Sequence, residues 1–433
     1  MLSPEENERL TRVGAGTPMG EYMRRFWIPF LVADELPEPD CEQVRVLLLG
    51  EALVAFRDTS GRVGLVDQNC PHRMADLWFG RNEEDGLRCT YHGWKFDITG
   101  ACVQAPTEPA GSDFASKIHL KSYPVEEKAG VLWAYMGPRD KMPAMPDFDW
   151  MHAPEGHIHV SWSIQECNFA QAIEGGIDTA HSVYLHSTVD SHRNLEQWKQ
   201  QGKRTNSPLM QFRTNDNPPQ LFAKDTDYGV LIGGKYPGNE GEDYWRFNQF
   251  LLPFYTMPPG QPRGAFAHAF TPLDDVTCTR WVFWWNAEAP LTSLELAGMR
   301  SGRNGTVPLL PGGGHIPLRN KGNNYLLDRE EQSTLTFTGI AGGGEQDFSV
   351  QEGMGAVVDR TREHLGMSDI GIIQMRRRLL KEASQLQEGQ EPATASHPEV
   401  YQVHAGQTML PFDVPDWAEA PKTKAVQVPL WSR

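Results

Sequence analysis

The chain has 433 residues, of which 39% are hydrophobic and 22% are charged, and its formal net charge is −16. This length exceeds what one hydrophobic core usually serves, so two domains are expected. The negative charge argues against binding to nucleic acid or to an anionic membrane, because both partners require a basic surface. Any anionic substrate would need a local basic pocket.

The first residues, MLSPEENERLTRVG, lack the basic and apolar regions of a secretory signal. No apolar run approaches the ~20 residues that are needed to span a bilayer. The 6 cysteines show no spacing typical of a disulfide framework, which favours free thiols in a reducing compartment. We therefore expect a cytoplasmic protein with no membrane partner.

The first part of the chain predicts an arm followed by a β-domain. Residues 1–24 have a helical pattern that is interrupted by glycine and proline, and they predict an N-terminal arm. Residues 25–150 contain short apolar runs separated by turn residues, which is typical of an antiparallel β-domain. The proline-rich stretch 137–156 has the composition of a domain boundary, which we place near residue 150.

Residues 151–433 predict a second, larger domain that contains both strands and helices. Long aromatic strands between residues 220 and 290 are consistent with a broad sheet that curls around a ligand. A helix is predicted from Ser368 onward, and its three basic residues Arg376–Arg378 predict a solvated face. The predicted fold class is α+β.

The β-domain carries two loops that each offer one thiol and one imidazole. Cys70-x-His72 is followed, after 16 residues, by Cys89-x2-His92. A two-iron, two-sulfide cluster with mixed ligation requires two cysteines and two histidines. A structural zinc site is the alternative, although usual zinc spacings place Cys with Cys and His with His.

A second ligand pattern, Glu174-x3-Asp178-x2-His181-x4-His186, lies in the second domain. Two histidines and one carboxylate form the ligand set of non-haem Fe(II) oxygenases, whereas two histidines alone are often structural. On an ideal helix, His186 would lie ~140° from His181, so both imidazoles could not reach one metal. We therefore expect the helix to end or to be distorted between Ala180 and His186.

The two patterns, with the flanking segments CPHR and CTYHGWKFD, resemble the Rieske non-haem iron oxygenases of the phthalate dioxygenase group. The resemblance covers nearly the whole chain. It implies an antiparallel β Rieske domain and a catalytic domain in which helices meet a curved antiparallel sheet, a helix-grip or START-like fold. It also implies a [2Fe-2S] cluster and a mononuclear Fe(II). The residues that would hold the cluster are Cys70, His72, Cys89 and His92.

The resemblance further implies that His181 and His186 bind the mononuclear iron together with a carboxylate from a late helix. The matching segment is GGGEQDFSVQEGMG, in which Asp347 precedes a helical apolar pattern. Asp359 is the second choice for this ligand and Glu345 the third. The other interpretation of Asp347 is an N-cap of that helix.

Asp178 has a separate role in the resemblance. It would not bind the iron but would accept a hydrogen bond from an iron-bound imidazole, fixing the orientation of that ring. In the family, electrons cross a subunit interface, here from His92 (with His72 as the alternative) through Asp178 to His181 of the next subunit. This route implies a homo-oligomer, either a trimer or two stacked trimers.

Aromatic carboxylates are the substrates that the resemblance implies, and arginine binds a carboxylate through two parallel hydrogen bonds. Arg246 shares a strand face with aromatic and polar residues and is a candidate, although pairing with Glu242 or Asp243 at the surface is the alternative. Arg204 matches an arginine of related enzymes, and solvation is its alternative. Thr179 is a further candidate for contact with the substrate.

The predicted protein is thus the terminal oxygenase of an enzyme that performs NAD(P)H- and O2-dependent cis-dihydroxylation of an aromatic carboxylate, with phthalate (4,5-dioxygenation) as the leading substrate. A separate flavin and iron-sulfur reductase is expected, because the chain lacks a GxGxxG fingerprint and a further cysteine set. Three alternatives remain: an O-demethylating or diaryl-ether-cleaving monooxygenase acting on substituted benzoates, an electron-transfer protein with a ligand-binding domain, and a zinc-stabilised binding module.

Overall fold

A computed structural model of the chain describes residues 1–189, 212, 217–260, 265–302 and 305–422. Within these residues no helix combines the length and the apolar character needed to pass through a bilayer. All six cysteines belong to the described residues, and each is a free thiol.

The predicted arm consists of two helices, α1 (Pro4–Thr11) and α2 (Pro18–Met23). Ser3 and Glu6 form a capping box at α1, in which each side chain accepts a hydrogen bond from the backbone N–H of the other. The arm is not a free extension, since several of its apolar side chains are fully buried. These are Leu10, Val13, Met19, Tyr22 and Met23.

Short strands fill the next part of the chain. In chain order they are β1 (Trp27–Val32), β2 (Val44–Leu48), β3 (Glu51–Arg57), β4 (Val63–Asp67), β5 (Arg81–Glu83), β6 (Gly86–Arg88), β7 (Lys95–Phe96), β8 (Cys102–Gln104), β9 (Ser122–Tyr123), β10 (Val125–Lys128) and β11 (Val131–Tyr135). They form three antiparallel sheets with the orders β1-β11-β10, β2-β3-β4-β9 and β5-β6-β7-β8. The small third sheet carries one of the two Cys-His loops.

The second part of the chain is built on one large antiparallel sheet. Its strands are β12 (Ile158–Gln165), β13 (Gln220–Asp225), β14 (Gly229–Tyr236), β15 (Glu242–Leu251), β16 (Tyr255–Met257), β17 (Ala265–Pro272), β18 (Cys278–Trp285) and β19 (Gly406–Pro411). The order is β12-β18-β17-β16-β15-β14-β13, and β19 pairs with the first half of β15. The last described strand thereby lies beside the middle of the sheet.

The second part of the chain also contains helices. They are α3 (Phe169–Ile177), α4 (Ser293–Arg300), α5 (Arg329–Thr334), α6 (Gly343–Gly353), α7 (Ile370–Gln387) and α8 (Ala393–Ser396). Helix α3 packs against β16 and β17, and α7 packs against β13 and β14. The predicted α+β class, with antiparallel β-sheets in the first part and helices on a curved sheet in the second, is confirmed.

An aromatic stack joins the two parts of the chain. Trp133 on β11 lies 5.9 Å from Trp150, and Trp150 lies 4.0 Å from Phe283 on β18, as measured between ring centroids. All three rings are fully buried, and aromatic side chains of this size contribute strongly to a core. The predicted boundary near residue 150 falls between β11 and β12.

Helix α7 corrects one prediction. Arg376 is buried, and its guanidinium binds Glu174 at 2.8 Å and Glu363 at 2.6 Å, so the predicted solvated face is wrong at this position. Glu174 also accepts a hydrogen bond from Arg360 at 2.9 Å. Burial alone would raise the pKa of Glu174, but the two guanidiniums hold that pKa below its usual value. Glu174 therefore fixes α3 on α7 instead of reaching a metal.

Candidate metal sites and substrate cavity

Helix α3 ends earlier than its sequence pattern predicts. The α-helix stops at Ile177, and a single 3₁₀ turn covers His181–Val183, so the predicted interruption begins before Ala180. The Asp178 carboxylate accepts the backbone N–H of Ala180 at 2.7 Å and that of His181 at 3.3 Å. These side-chain contacts replace the helical hydrogen bonds, which explains the early end.

A glycine pair lets α3 lie close to its neighbours. A Cβ atom on Gly175 would lie 1.8 Å from the Gln351 side-chain nitrogen, and one on Gly176 would lie 2.8 Å from the Phe270 ring. Neither position therefore accepts a larger residue. The close packing brings the end of α3 to α6 and to the sheet at the same place.

Three of the predicted ligands converge there. His181 and His186 approach with their Nε2 atoms 3.2 Å apart. Asp347 Oδ1 lies 3.2 Å from Nε2 of His186 and 3.6 Å from Nε2 of His181. Ligand atoms that share one ion at about 2 Å are expected about 3 Å apart, so the spacing fits a single metal. Among the described residues this is the one set of three or more His, Cys, Asp or Glu whose ligand atoms lie within 4.8 Å of one another.

The other carboxylates considered for this ligand lie elsewhere. Asp347 is in the interior of α6, whose N-cap is Gly342, so the N-cap interpretation is wrong. Asp359 is exposed and binds Thr361, and the buried Glu345 binds Arg319 at 3.2 Å. Burial would raise the pKa of Asp347, but the neighbouring His186, His181 and Arg280 outweigh burial and hold that pKa at about 2.

Each histidine of the set has a different partner at its second ring nitrogen. Nδ1 of His181 lies 3.3 Å from the Asp178 carboxylate. Nδ1 of His186 lies 2.7 Å from Oε1 of Gln346, whose amide nitrogen donates to the backbone carbonyl of Ile340. When Nδ1 carries the proton, Nε2 is free to bind a metal. Gln346 was not among the predicted site residues, although it directly precedes Asp347.

Arg280 on β18 also reaches this site without having been predicted. Its Nη2 atom lies 3.8 Å from Oδ2 of Asp347 and 3.4 Å from Nε2 of His268. Burial lowers the pKa of His268 well below its usual value, so the neutral ring accepts from the guanidinium. A Cβ atom on Gly344 would lie 2.4 Å from Nη1 of Arg280, so this glycine is required for the arginine to fit.

The two Cys-His loops are close copies of each other. In the first, the Cys70 N–H donates to Ala75 at 2.9 Å and the Cys70 carbonyl accepts from Met74. In the second, the Cys89 N–H donates to Trp94 at 2.8 Å and the Cys89 carbonyl accepts from Gly93. Met74 and Gly93 both adopt positive φ, at 59° and 76°. Such matched turns present two equivalent pairs of ligands.

The side chains of these loops fit a cluster. The Cys70 and Cys89 side chains are both buried, and the ring centroids of His72 and His92 are 4.3 Å apart. Nδ1 of His72 is buried and has no hydrogen-bond partner among the described residues, as expected for an atom that is aimed at a metal. Burial raises the pKa of Cys70 to about 11, so metal binding must displace a proton. In the described part of the chain these four side chains do not converge on one ion, which argues against zinc.

A cavity of about 730 Å³ lies beside the His181, His186 and Asp347 set. Polar side chains from the turn after α3 and from β15 form one wall, and glycines, a few apolar residues and further polar side chains, among them Glu295, form the rest. The lining includes Thr179, Arg246, Asn248, Pro258, Pro259, Phe266, Leu294 and Gln407. Two of the three predicted substrate residues therefore line the cavity, and Arg204 lies outside the described residues.

Arg246 is buried in the cavity wall, with 9% of its surface exposed. Its guanidinium donates to the hydroxyls of Thr179 at 3.2 Å and Tyr244 at 3.4 Å, and to Oε1 of Gln407 at 3.5 Å. Asp243 instead pairs with Lys235 at 2.9 Å. The alternative in which Arg246 pairs with acidic residues at the surface is therefore wrong, and no described carboxylate forms an ion pair with it.

The chain is similar to several known proteins over most of its length. Residues 26–124 match the Rieske [2Fe-2S] domain family, and residues 134–428 match the family described as LigXa C-terminal domain like. The phthalate 4,5-dioxygenase oxygenase subunit of Pseudomonas putida is 37% identical over 90% of this chain and 88% of its own. The 3-chlorobenzoate-3,4-dioxygenase oxygenase subunit of Comamonas testosteroni is 36% identical over 88% of both chains.

More distant similarities extend the comparison. The 5,5'-dehydrodivanillate O-demethylase oxygenase subunit of Sphingobium sp. (strain NBRC 103272 / SYK-6) is 31% identical over 90% of this chain and 83% of its own. The crystal structure of dicamba monooxygenase bound to dicamba shares the fold, with a TM-score of 0.58 and 19% identity over 86% of this chain and 100% of that one.

These matches decide between the alternatives. The match to the Rieske [2Fe-2S] domain family confirms the cluster, so the zinc module is excluded. The set of His181, His186 and Asp347 fits the mononuclear Fe(II) that the sequence predicts. The protein is an oxidoreductase, so a non-catalytic electron carrier is excluded as well. The chain belongs to the Rieske oxygenase family, as the terminal oxygenase subunit of an aromatic dioxygenase or monooxygenase system.

Proposed function

We propose that this protein catalyses the NAD(P)H- and O2-dependent cis-dihydroxylation of an aromatic carboxylate, with phthalate, attacked at positions 4 and 5, as the leading substrate. One observation carries the proposal. Arg246 is a buried cation with no described acidic partner, and it lines the same cavity as His181, His186 and Asp347. The names of two relatives, a phthalate and a chlorobenzoate dioxygenase, support an aromatic carboxylate.

The metal ligands are assigned from their positions. The cluster would be held by Cys70, His72, Cys89 and His92, and the iron by His181, His186 and Asp347. When bound, the cluster supplies electrons one at a time and the iron activates O2 beside the substrate.

The side chains of the chain supply placement. Arg246 binds the substrate carboxylate through Nη2, while the Thr179 hydroxyl accepts a hydrogen bond from Nε and also lines the cavity. Phe266 and the neighbouring prolines contact the aromatic ring and exclude water from it. Asp178 and Gln346 hold the imidazoles so that Nε2 points toward the iron.

Electrons reach this site from another subunit in our proposal. His92 of one subunit, or His72 as the alternative, lies at the start of the route, and Asp178 and His181 of the next subunit lie at its end. Both ends are partly exposed in the described chain, since His92 is half-buried and the Asp178 side chain is 20% exposed. A trimer or two stacked trimers would bring them together. A separate NAD(P)H-dependent reductase supplies the electrons, and the free thiols favour a reducing cytoplasm.

Product analysis tests this proposal. The purified protein is incubated with a suitable reductase, NADH, O2 and a panel of phthalate isomers, chlorobenzoates and aromatic hydrocarbons without a carboxylate. We expect a cis-dihydrodiol carboxylate from at least one of them, and the largest yield from phthalate. If aromatic hydrocarbons without a carboxylate are dihydroxylated while every carboxylate is ignored, the proposal is wrong.

A second candidate function is supported by the similarity to an O-demethylase oxygenase subunit. The protein would then be a monooxygenase that removes a methyl group from a methoxybenzoate or cleaves a diaryl ether. The same panel, extended with methoxy- and phenoxybenzoates, separates the two functions. Formaldehyde or a phenol without any dihydrodiol would favour the monooxygenase.

A further inference from the structure

The last described strand contributes a side chain to the cavity. Gln407 lies on β19, in register with Arg246 on β15. Its amide oxygen accepts hydrogen bonds from the Tyr244 hydroxyl and from Nη1 of Arg246. Its amide nitrogen donates to the backbone carbonyl of Gly260 at 3.3 Å. Hydrogen bonds therefore fix both the oxygen and the nitrogen of the Gln407 amide.

The partners of Arg246 share one property, which is that all of them are neutral. Two are hydroxyls, from Thr179 and Tyr244, and the third is the Gln407 amide. Burying a charged side chain is costly unless a counterion compensates it, so buried arginines are usually paired with carboxylates. Here the residue opposite Arg246 on the neighbouring strand is Gln407, whose side chain is the neutral amide analogue of glutamate.

The donors of the guanidinium are used unevenly. The described contacts engage Nε, with Thr179, and Nη1, with Tyr244 and Gln407. Nη2 donates to none of the described residues. It is not one of the fully buried atoms without a partner, so it keeps some accessible surface. The N–H groups of Nη2 thus remain for a ligand, and a carboxylate is the group that best matches a guanidinium.

We propose that Gln407 is a specificity-determining residue, whose neutral amide orients Arg246 and leaves the arginine charge to an aromatic carboxylate. This inference rests on the proposed function and names what enforces its substrate class. A glutamate at position 407 would form an ion pair with Arg246 and so neutralise the charge of its guanidinium. The cavity would then lose its preference for anions over neutral aromatic ligands of the same shape.

The test uses Gln407→Glu, which keeps the shape of the side chain and adds one negative charge. Binding of benzoate and of its neutral analogue benzamide to the anaerobic holoenzyme is measured by calorimetry. We expect the benzoate Kd to rise at least about tenfold, as for the loss of a charge-assisted hydrogen bond, while the benzamide Kd stays within about twofold. An unchanged ratio of the two constants overturns the inference.

Two further variants keep the outcome unambiguous. Gln407→Leu removes the acceptor without adding charge, and we expect a smaller loss of benzoate binding, about threefold. An unchanged benzoate Kd in this variant contradicts the positioning role, even if the glutamate variant does not fold.

Arg246→Gln separates the two proposals. If Arg246→Gln abolishes the preference for benzoate while Gln407→Glu does not, only the inference about Gln407 fails. If the wild-type protein binds benzamide as tightly as benzoate, the carboxylate proposal fails as well.

Discussion

Two buried arginines, Arg246 and Arg280, line the same cavity from the same sheet, yet their surroundings differ. Arg280 faces the Asp347 carboxylate at 3.8 Å and the neutral His268 ring at 3.4 Å. Arg246 is surrounded by hydroxyls and an amide. A buried cation that faces an acid of its own protein contributes to a fixed site, whereas one with neutral neighbours can receive an anion. Charge balance thus separates the metal end of the cavity from its substrate end.

The largest effect is expected at the metal end. Asp347→Ala removes the only carboxylate of the iron set in the described chain, so the iron content should fall from about three to about two atoms per subunit, with the cluster retained. Oxygenation should become undetectable. Elemental analysis and the visible spectrum of the cluster measure both quantities. Asp359→Ala, in an exposed carboxylate, is the matched control and should keep all the iron.

Replacing the substrate arginine should have the next largest effect. Arg246→Gln removes the charge that is available to a ligand, and we expect benzoate to bind about 100-fold more weakly, since a charge-assisted contact is worth about 3 kcal/mol. Calorimetry on the anaerobic protein measures this change. Arg377→Gln, on the exposed part of α7, is the control and should leave binding unchanged. Equal benzoate affinity in wild type and Arg246→Gln would contradict the comparison of the two arginines.

Arg280 should behave in the opposite way. Arg280→Met leaves Asp347 without its buried cation, and we expect the free energy of unfolding of the iron-free protein to fall by about 2 kcal/mol. The ratio of benzoate to benzamide affinity should not change, because this arginine does not contact the ligand in our account. Urea denaturation and calorimetry give the two results. A loss of carboxylate preference in Arg280→Met would indicate that the substrate anion binds at the metal end of the cavity. That result would contradict the role given to Arg246.

The smallest effect is expected at Gln346, whose neutral amide contacts the iron ligand His186. Gln346→Leu removes the acceptor of the His186 Nδ1–H, so the imidazole loses its fixed orientation. We expect iron affinity to fall about tenfold, which is typical for the loss of a partner of a metal-bound histidine. Iron binding is measured by competition with a chelator. Gln374→Leu, on α7 away from the cavity, should bind iron as the wild type does.

The sequence predicted those parts of the site whose residues are close together in the chain. The Cys70, His72, Cys89 and His92 pattern and the His181 and His186 pair are local, and their spacing carries the chemistry. Arg246 followed from the alternation of its strand, because the face it shares with Asn248 lines the cavity. Asp347 required a resemblance to a family, since nothing in its own segment distinguishes it from Asp359.

The remaining parts depend on contacts between distant segments. Gln407 meets Arg246 across 161 positions of sequence, and Gln346 meets His186 across 160. No local rule selects one glutamine among many for such a contact. The early end of α3 was missed because the periodic pattern continues past Ile177, while the Asp178 side chain caps the backbone there. Arg376 was misjudged because its buried partner Glu174 lies 202 positions away.

The most direct test of the account is a crystal structure of the anaerobic, iron-loaded protein with a bound aromatic carboxylate. We predict that the carboxylate lies about 2.9 Å from Nη2 of Arg246, with the ring between Arg246 and the iron held by His181, His186 and Asp347. A carboxylate that instead contacts Arg280, or that lies at the cavity mouth with Arg246 untouched, would contradict the account.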